Sequence, residues 1–312
     1  MTIATHNLGM SYLDTTQLPA MLVKEENNIS VPYADFVGIA TIGIGVNLKE
    51  KNYMALVLDQ LGVFSAYIGQ VNAGRLAAGL LPLTATESNQ IYKNLVADFE
   101  SVVSSFPIVH DKVAGTGNST SETNLQKALD AKLESYLNDP SAKFMLSADG
   151  AQAKAITNKI ILGFSVGPFV DNGGKQKRLD DILNANGSPI PHDSPEYMAL
   201  MSLFYNSEVT TGRKALIGPK LRHALAIGNR ADAWYEIRYG SNGGSSQSPG
   251  VASRRYGESA LFGLYDNATA PDSVESRSIY RMFTAHRNDI LVYQCLKGSA
   301  SEVSPQNPVA FQ

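Results

Sequence analysis

The sequence predicts an α+β fold that is mainly helical, with a small β-containing lobe near the N-terminus. The stretch "VGIATIGIGVNL" (37–48) is rich in Ile, Val and Thr and is interrupted by Gly, which is typical of short strands joined by tight turns. From residue 124 onward, apolar residues recur mainly at helical intervals. With 312 residues, the chain is long enough for one large domain or two modest ones.

The clearest helix prediction covers residues 84–107. Thr84 and Glu87 have the spacing of a capping box, and Pro107 marks the end. Between them, apolar residues recur at helical spacing: Ile91, Leu95, Phe99, Val102 and Phe106. The predicted helix is roughly 33 Å long at 1.5 Å per residue. Further helices are predicted over 17–26 and from starts at Ser147 and at Ser194-Pro195, with polar loops at 114–124 and 240–250.

Composition excludes several classes of protein. One cysteine, Cys295, rules out an internal disulfide framework and a thiolate zinc cluster. The N-terminus lacks the basic and apolar regions of an export signal, and eighteen uncharged apolar residues never occur together. A net charge of −3 argues against general nucleic-acid or membrane-surface binding. We therefore expect a soluble protein with no nucleic-acid partner and no membrane insertion.

Two glycine-containing stretches invite comparison with nucleotide-binding loops. A dinucleotide loop needs a third glycine after Gly-x-Gly and a helix that opens there, but "GIGVNL" has Leu48 at that position. The second stretch, "AGTGNST" (114–120), lacks the lysine of a phosphate-binding loop. Neither stretch supports a nucleotide site.

Three polar residues around the predicted strands form a candidate catalytic group. Glu26 ends a predicted helix, Asp35 precedes the Gly38 turn, and Thr41 lies in the strand region. Two carboxyl groups and a hydroxyl suffice for inverting glycoside hydrolysis, in which one acid protonates the leaving oxygen and the other groups hold the attacking water. The alternative is that these are solvated carboxylates and a structural strand hydroxyl.

The same residues carry a family resemblance. The register Glu26, Tyr33, Asp35, Gly38 and "TIGIG" (41–45) resembles the signature of the phage T4-type lysozymes, glycoside hydrolases that cut peptidoglycan. The resemblance implies that Glu26 is the general acid and that Asp35 and Thr41 position the water. It also implies that Gly38, Gly43 and Gly45 let the backbone turn sharply and approach the substrate, with Gly45 at the substrate.

The resemblance extends over about two thirds of the chain. Residues 84–104 resemble the helix that joins the two lobes in this family, 198–206 the helix behind the cleft, 216–239 the next helix pair and 250–265 the terminal helix. The second half is similar to pesticin-like muramidases and to cell-wall-degrading effectors of type VI secretion systems. The implied organisation is a catalytic lobe over 1–83, a linking helix over 84–107 and a helical lobe over 108–312.

Some positions depart from the family pattern. Asn27 and Val46 stand where phage-type members commonly have Gly and His, and Glu25 is adjacent to the proposed acid. Only Glu26 preserves the register. An insertion at about 107–193 and the tail after about 267 have no counterpart, and are expected to be extra helices or to bind a partner.

Substrate binding is expected to involve arginine side chains. Residues 211–256 carry an excess of six positive charges, although the whole protein is acidic. We expect this region to face the glycan, with Arg222, Arg254 and Arg255 as substrate-binding residues. The alternative is that several arginines form structural ion pairs, Arg238 and Arg254 above all. Trp234 and Tyr235 could stack on sugars, but a core position is the commoner role of such residues.

No cofactor or metal is expected, because the five histidines are scattered and two carboxyl groups suffice for the reaction. The resemblance implies a muramidase that cleaves the β-1,4 bond between N-acetylmuramic acid and N-acetylglucosamine. We expect an antibacterial effector toxin, made in the cytoplasm without a signal peptide and acting on the periplasmic cell wall. Its expected partners are peptidoglycan, a cognate immunity protein and a secretion component. The alternatives are a phage endolysin and a non-catalytic wall-binding protein on the same scaffold.

Overall fold

The computed structural model describes residues 3–6, 18, 21–22, 29–34, 39–106, 120–137, 146–207, 215–242, 249–267 and 269–297. The chain forms two compact units. One comprises Pro19–Gly174, and the other comprises Met1–Leu18 together with Lys175–Gln312. The described part is mostly helical with small antiparallel sheets, so the mainly helical α+β class is confirmed. The lysozyme-like arrangement of lobes stays a prediction.

Among the described residues, the unit Pro19–Gly174 contains all the strands, together with five of the helices. Its strands are β1 (Ile29–Ala34), β2 (Ala40–Gly43), β3 (Val46–Asn47), β4 (Phe164–Val166) and β5 (Phe169–Asp171). Its helices are α1 (Lys51–Gln60), α2 (Val63–Ala77), α3 (Ala85–Ser105), α4 (Thr120–Tyr136) and α5 (Gly150–Leu162). The strands form an antiparallel sheet in the order β1-β2-β3 and a separate hairpin, β4-β5.

Helix α1 is the centre of this unit. It packs against α2, α3, α5, β3, β4 and β5, and its residues 54–58 are all fully buried. A helix that is apolar on every side belongs in a core. Helix α4 packs on β1 and helix α5 on β2, so the three-stranded sheet is covered by helices.

The long predicted helix is confirmed as α3. The Thr84 hydroxyl accepts a hydrogen bond from the Glu87 N–H at 3.2 Å, and the Glu87 carboxylate accepts one from the Thr84 N–H at 2.7 Å. Both bonds of the predicted capping box are therefore present. Helix α3 packs against α1, α2 and α4 within this unit. The expected division of the chain at 83 and 107 stays a prediction.

Three details of the first unit differ from expectation. Helix α5 is capped by Asp149, whose carboxylate accepts N–H bonds at 2.8 Å from Ala151 and Gln152, and not by Ser147. The β4-β5 hairpin interrupts a region that was expected to be helical throughout. Helix α4 also begins at Thr120, inside the expected polar loop 114–124.

The second unit is built from helices. They are α6 (Gly174–Ala185), which continues from the first unit, α7 (Pro195–Asn206), α8 (Pro219–Ala226), α9 (Arg230–Arg238), α10 (Pro249–Phe262), α11 (Ser273–Ala285) and α12 (Arg287–Lys297). Helix α7 is buried from Pro195 to Tyr205 and packs against α10. Its predicted start is confirmed, because the Ser194 hydroxyl accepts the Tyr197 N–H and Pro195 occupies the first turn. Helix α9 packs against α8, α10 and α11.

No single described helix is long and apolar enough to cross a bilayer. Helices α1 and α2 pass that test of length and composition only as a pair, and they bend by 70° at the break between them.

Candidate functional site

Thr41 is the member of the predicted catalytic group that the structure describes. It lies on β2, the central strand of the three-stranded sheet, where its Cα is paired with Tyr33 of β1 and with Asn47 of β3. Glu26, Asp35 and Gly38 lie outside the described residues, and so do Glu25 and Asn27. In the chain, Glu26 precedes the start of β1 by three residues and Asp35 follows its end directly.

The Thr41 side chain is buried and has a backbone partner. Thr41 is 4 % exposed, and its hydroxyl donates a hydrogen bond of 3.3 Å to the main-chain oxygen of Tyr33. This distance is long for an O–H···O bond, which is commonly 2.7–2.8 Å. A hydroxyl whose proton is engaged in this way keeps lone pairs that can accept a hydrogen bond, for example from a water molecule.

Thr41 is flanked by one residue from each neighbouring strand. In an antiparallel ladder, directly paired residues project to the same face of the sheet. Tyr33 and Asn47 are therefore on the same face as Thr41, one from each neighbouring strand. Tyr33 belongs to the signature, but Asn47 becomes visible only once the β2-β3 register is known.

The glycines of "TIGIG" have the backbone conformation that was expected of them. Gly43 and Gly45 have φ of 61° and 66°, which favours glycine. A Cβ added at Gly43 would lie 3.2 Å from the Ala153 Cβ of α5. The close neighbour of Gly43 is thus a helix of the same unit, and Gly45 is half-buried at the β2-β3 turn.

Burial raises the pKa of three carboxyl groups among the described residues. Burial raises the pKa of Glu100 on α3 and of Asp130 on α4. The Asp130 carboxylate accepts the Leu146 N–H at 2.8 Å and the Gln126 side-chain amide at 2.6 Å, which lowers its pKa and partly offsets the effect of burial. Burial also raises the pKa of Glu236 on α9.

The described residues of the expected basic face are largely buried. Four of the arginines that were assigned to it are buried in the core of their unit: Arg230, Arg238, Arg254 and Arg255. Arg222 is half-buried on α8, and Lys220 is exposed. Arg213 and Lys214 lie outside the described residues.

Arg254 and Arg255 pair with the same carboxylate. Arg254 Nε donates to Glu258 at 3.1 Å, while Arg255 Nη1 donates to the other oxygen of Glu258, which is fully buried. Arg254 also donates to the main-chain oxygen of Ser202 at 3.1 Å, and the Ser202 hydroxyl donates to Glu258 at 2.7 Å. The expectation that these two arginines contact substrate is corrected: both are buried cations paired with Glu258, and Arg254 also joins α10 to α7 through Ser202.

Arg230 belongs to a second buried network. Its guanidinium donates to Glu196 at 2.8 Å and to the Phe262 oxygen at 2.5 Å, and it also pairs with Asp266. The His6 ring nitrogen Nδ1 lies 2.6 Å from the same Glu196, which is fully buried. The Glu196 carboxylate thus joins His6 and Arg230, which lie far apart in the sequence.

The aromatic residues of α9 are also core residues. Trp234 and Tyr235 are each 7 % exposed, and the Arg238 guanidinium lies over the rings of Trp234 and Tyr256 at 5.0 and 4.0 Å. The core alternative is therefore the one observed for Trp234. Arg238 is also buried, but against aromatic rings and the Ser259 hydroxyl, and the described residues show no ion pair for it. Among the described residues, no group of three or more His, Cys, Asp and Glu side chains is arranged to hold a metal ion.

No protein-family model, no curated protein and no solved structure matches this chain.

Proposed function

We propose that the protein is a peptidoglycan hydrolase that cleaves the β-1,4 bond between N-acetylmuramic acid and N-acetylglucosamine. The observation that carries the proposal is the position of Thr41: a buried threonine on the central strand, directly opposite Tyr33 of the same signature. The positive φ values of Gly43 and Gly45 support it, since the signature needs glycine at both positions.

In the proposed reaction, Glu26 is the general acid and donates its proton to the glycosidic oxygen as the bond breaks. Asp35 accepts a proton from the attacking water, whose oxygen adds to the anomeric carbon from the opposite face. The Thr41 hydroxyl accepts the second hydrogen of this water, because its own proton is directed to the Tyr33 oxygen. With one hydrogen on each partner, the water presents a lone pair to the sugar.

Chain connectivity limits how the two carboxyl groups can meet. Glu26 and Asp35 stand three residues before and one residue after the six-residue strand β1, next to its opposite ends in the chain. Six extended residues span roughly 17–20 Å, whereas an inverting enzyme needs its two carboxyl groups about 6.5–9.5 Å apart, so that a water molecule fits between one of them and the sugar. The proposal therefore requires the chain before β1 to fold back along the strand toward Thr41.

The proposed context is that of an antibacterial effector that acts in the periplasm. The resemblance of the second half to effector muramidases supports it. Expression of the chain behind a periplasmic export signal should lyse a Gram-negative host, while cytoplasmic expression should not. The export-directed Glu26→Gln variant should leave the host intact, and lysis by that variant would contradict catalysis as the cause.

Product analysis tests the reaction itself. Purified peptidoglycan should be converted to soluble fragments that end in a reducing N-acetylmuramic acid, initially as the α-anomer. Fragments that end in reducing N-acetylglucosamine or in an anhydro sugar would overturn the assignment of the bond or of the mechanism. Binding of peptidoglycan without any fragments would favour the non-catalytic wall-binding alternative.

A further inference from the structure

A cleft lies between α9 and α11 of the second unit. Its volume is about 490 Å³, and its polar lining comes from Asn229, Asp232, Arg277, Ser278, Arg281 and His286. Pockets of about 300–1,000 Å³ are the usual size for small-molecule ligands. The tail after residue 267, which has no counterpart in the family resemblance, supplies one wall of this cleft.

The base of the cleft is organised by hydrogen bonds. Asn229 caps α9, because its side-chain oxygen accepts the Asp232 N–H at 3.2 Å. The same oxygen accepts the Ser278 hydroxyl of α11 at 3.2 Å, and the Asn229 amide donates to the Asp232 carboxylate at 2.6 Å. These contacts join the two helices and fix the Asp232 carboxylate at the cleft.

The wall formed by α11 carries two cations. Arg277 and Arg281 are four residues apart and therefore lie on one face of the helix, one turn from each other. Both line the cleft and are exposed, and neither makes an ion pair or hydrogen bond with any other residue that the structure describes. Burial of Ile279 and Met282 on the same helix fixes its rotation about its axis.

The cleft is also lined by the His286 imidazole, which is held by an aromatic contact. The His286 ring stacks on Tyr235 with ring centres 3.7 Å apart and planes at 17°. Tyr235 itself is buried, and this burial, together with the nearby Asp289, raises its pKa to about 12. Tyr235 is thus a neutral surface on which the imidazole is oriented.

We propose that this cleft binds the peptide stem of peptidoglycan through its charged groups. Two guanidinium groups suit carboxylates, which they bind with paired N–H bonds. The adjacent Asp232 suits an ammonium group and disfavours ligands that carry only negative charge. Peptide stems present both carboxylates and ammonium groups, so the cleft matches them better than it matches phosphate. The choice of ligand rests on the proposed function.

The test uses the full chain and a free stem tetrapeptide that contains a diamino acid, without glycan. Titration calorimetry should detect binding by the wild type, with weaker binding at high salt. In the Arg277→Gln/Arg281→Gln variant, the dissociation constant should rise at least about tenfold, because charge-assisted hydrogen bonds are lost. The control is Arg287→Gln, which removes one positive charge at the start of α12, outside the lining of the cleft, and should bind as the wild type does.

Inorganic phosphate at the same concentration should not compete with the stem peptide. The proposal is overturned if the folded wild type does not bind the stem, if the double variant binds equally well, or if phosphate displaces the peptide. Stem binding needs no bond cleavage, so this result is independent of the muramidase assay. A chain that hydrolyses glycan but does not bind the stem refutes this inference alone, and one that binds the stem without hydrolysis refutes the muramidase activity.

Discussion

The Thr41 hydroxyl donates a hydrogen bond of 3.3 Å to the main-chain oxygen of Tyr33, across the β1-β2 pairing. The same geometry fits a structural strand hydroxyl and a water-positioning group. In the first case the bond only satisfies a buried donor, whereas in the second it also aims the lone pairs of the oxygen. The two roles differ in what happens when the hydroxyl is removed.

Replacing Thr41 by Val should lower kcat by roughly 100-fold or more, because the attacking water loses one of its two partners. Thr41→Ser keeps the hydroxyl and should retain most of the activity. The free energy of unfolding should change by less than about 1.5 kcal/mol, since one weak hydrogen bond is lost. Release of soluble fragments from peptidoglycan measures the first effect and urea denaturation the second. Equal kcat for Thr41→Val and the wild type would leave Thr41 a purely structural role.

Gly43→Ala should destabilise the protein by roughly 1–3 kcal/mol, because φ of 61° is unfavourable for alanine. The added Cβ would also lie 3.2 Å from that of Ala153. Gly69→Ala is the matched control in the same unit, since it lies in helix α2 with no atom within 4 Å of an added Cβ. That variant should be stabilised by roughly 0.5–1 kcal/mol. Urea denaturation of both variants measures the contrast, and equal effects would contradict it.

Glu258→Gln should cost roughly 3–5 kcal/mol of unfolding free energy, because Arg254 and Arg255 would keep buried charges without their carboxylate. The control is Asp181→Asn, which breaks a solvent-exposed pair with Lys177 at 2.6 Å. Its expected cost is below about 1 kcal/mol. Chemical denaturation compares the two variants. A loss below 1 kcal/mol for Glu258→Gln would show that Arg254 and Arg255 are not held by this carboxylate.

Asp98 should make stability depend on pH at the acid end. The Tyr136 hydroxyl donates to its carboxylate at 2.7 Å and the Lys132 ammonium at 2.9 Å, and together they hold its pKa below the ordinary value. A carboxyl group whose pKa is lower in the folded than in the unfolded state stabilises the protein at pH values above the unfolded-state pKa of about 3.9. This stabilisation is lost as the pH falls through the folded-state pKa.

The stability difference between the wild type and Asp98→Asn should therefore be constant from neutral pH to about pH 5 and should shrink below about pH 4. Tyr136→Phe removes the larger of the two effects and should raise the pKa of Asp98 toward its ordinary value. Thermal unfolding measured at a series of pH values follows both variants. A difference that grows as the pH falls would have the wrong sign for this arrangement.

The local features of the fold were predictable from sequence, because their causes are local. The capping box at Thr84 and the Ser194-Pro195 start each depend on residues within one turn of a helix. The β4-β5 hairpin was missed because each of its strands has only three residues, too few for an alternating pattern. The buried face predicted for α3 was only partly right. Leu95 and Phe99 are buried as predicted, but the buried valine near the end of the helix is Val103 and not Val102.

The candidate site also includes residues that the sequence could predict and residues that it could not. The spacing of the signature identified Thr41, and its place on a strand was as expected. Asn47 could not be found without the register that pairs it with Thr41. The arginines show the opposite problem: a positive charge in a sequence does not tell whether a carboxylate meets it in the core. For Arg254, the spacing to Glu258 was a usable signal, but Ser202 is 52 residues away.

The central claim is tested most directly by the rate at which the wild type and two single-residue variants clear a suspension of purified peptidoglycan. Glu26→Gln should reduce the rate to background, whereas Glu25→Gln, which changes the adjacent carboxyl group in the same way, should clear nearly as fast as the wild type. Equal clearing by the wild type and Glu26→Gln would contradict the proposed mechanism. Loss of activity in Glu25→Gln alone would place the general acid one residue earlier and break the register on which the assignment depends.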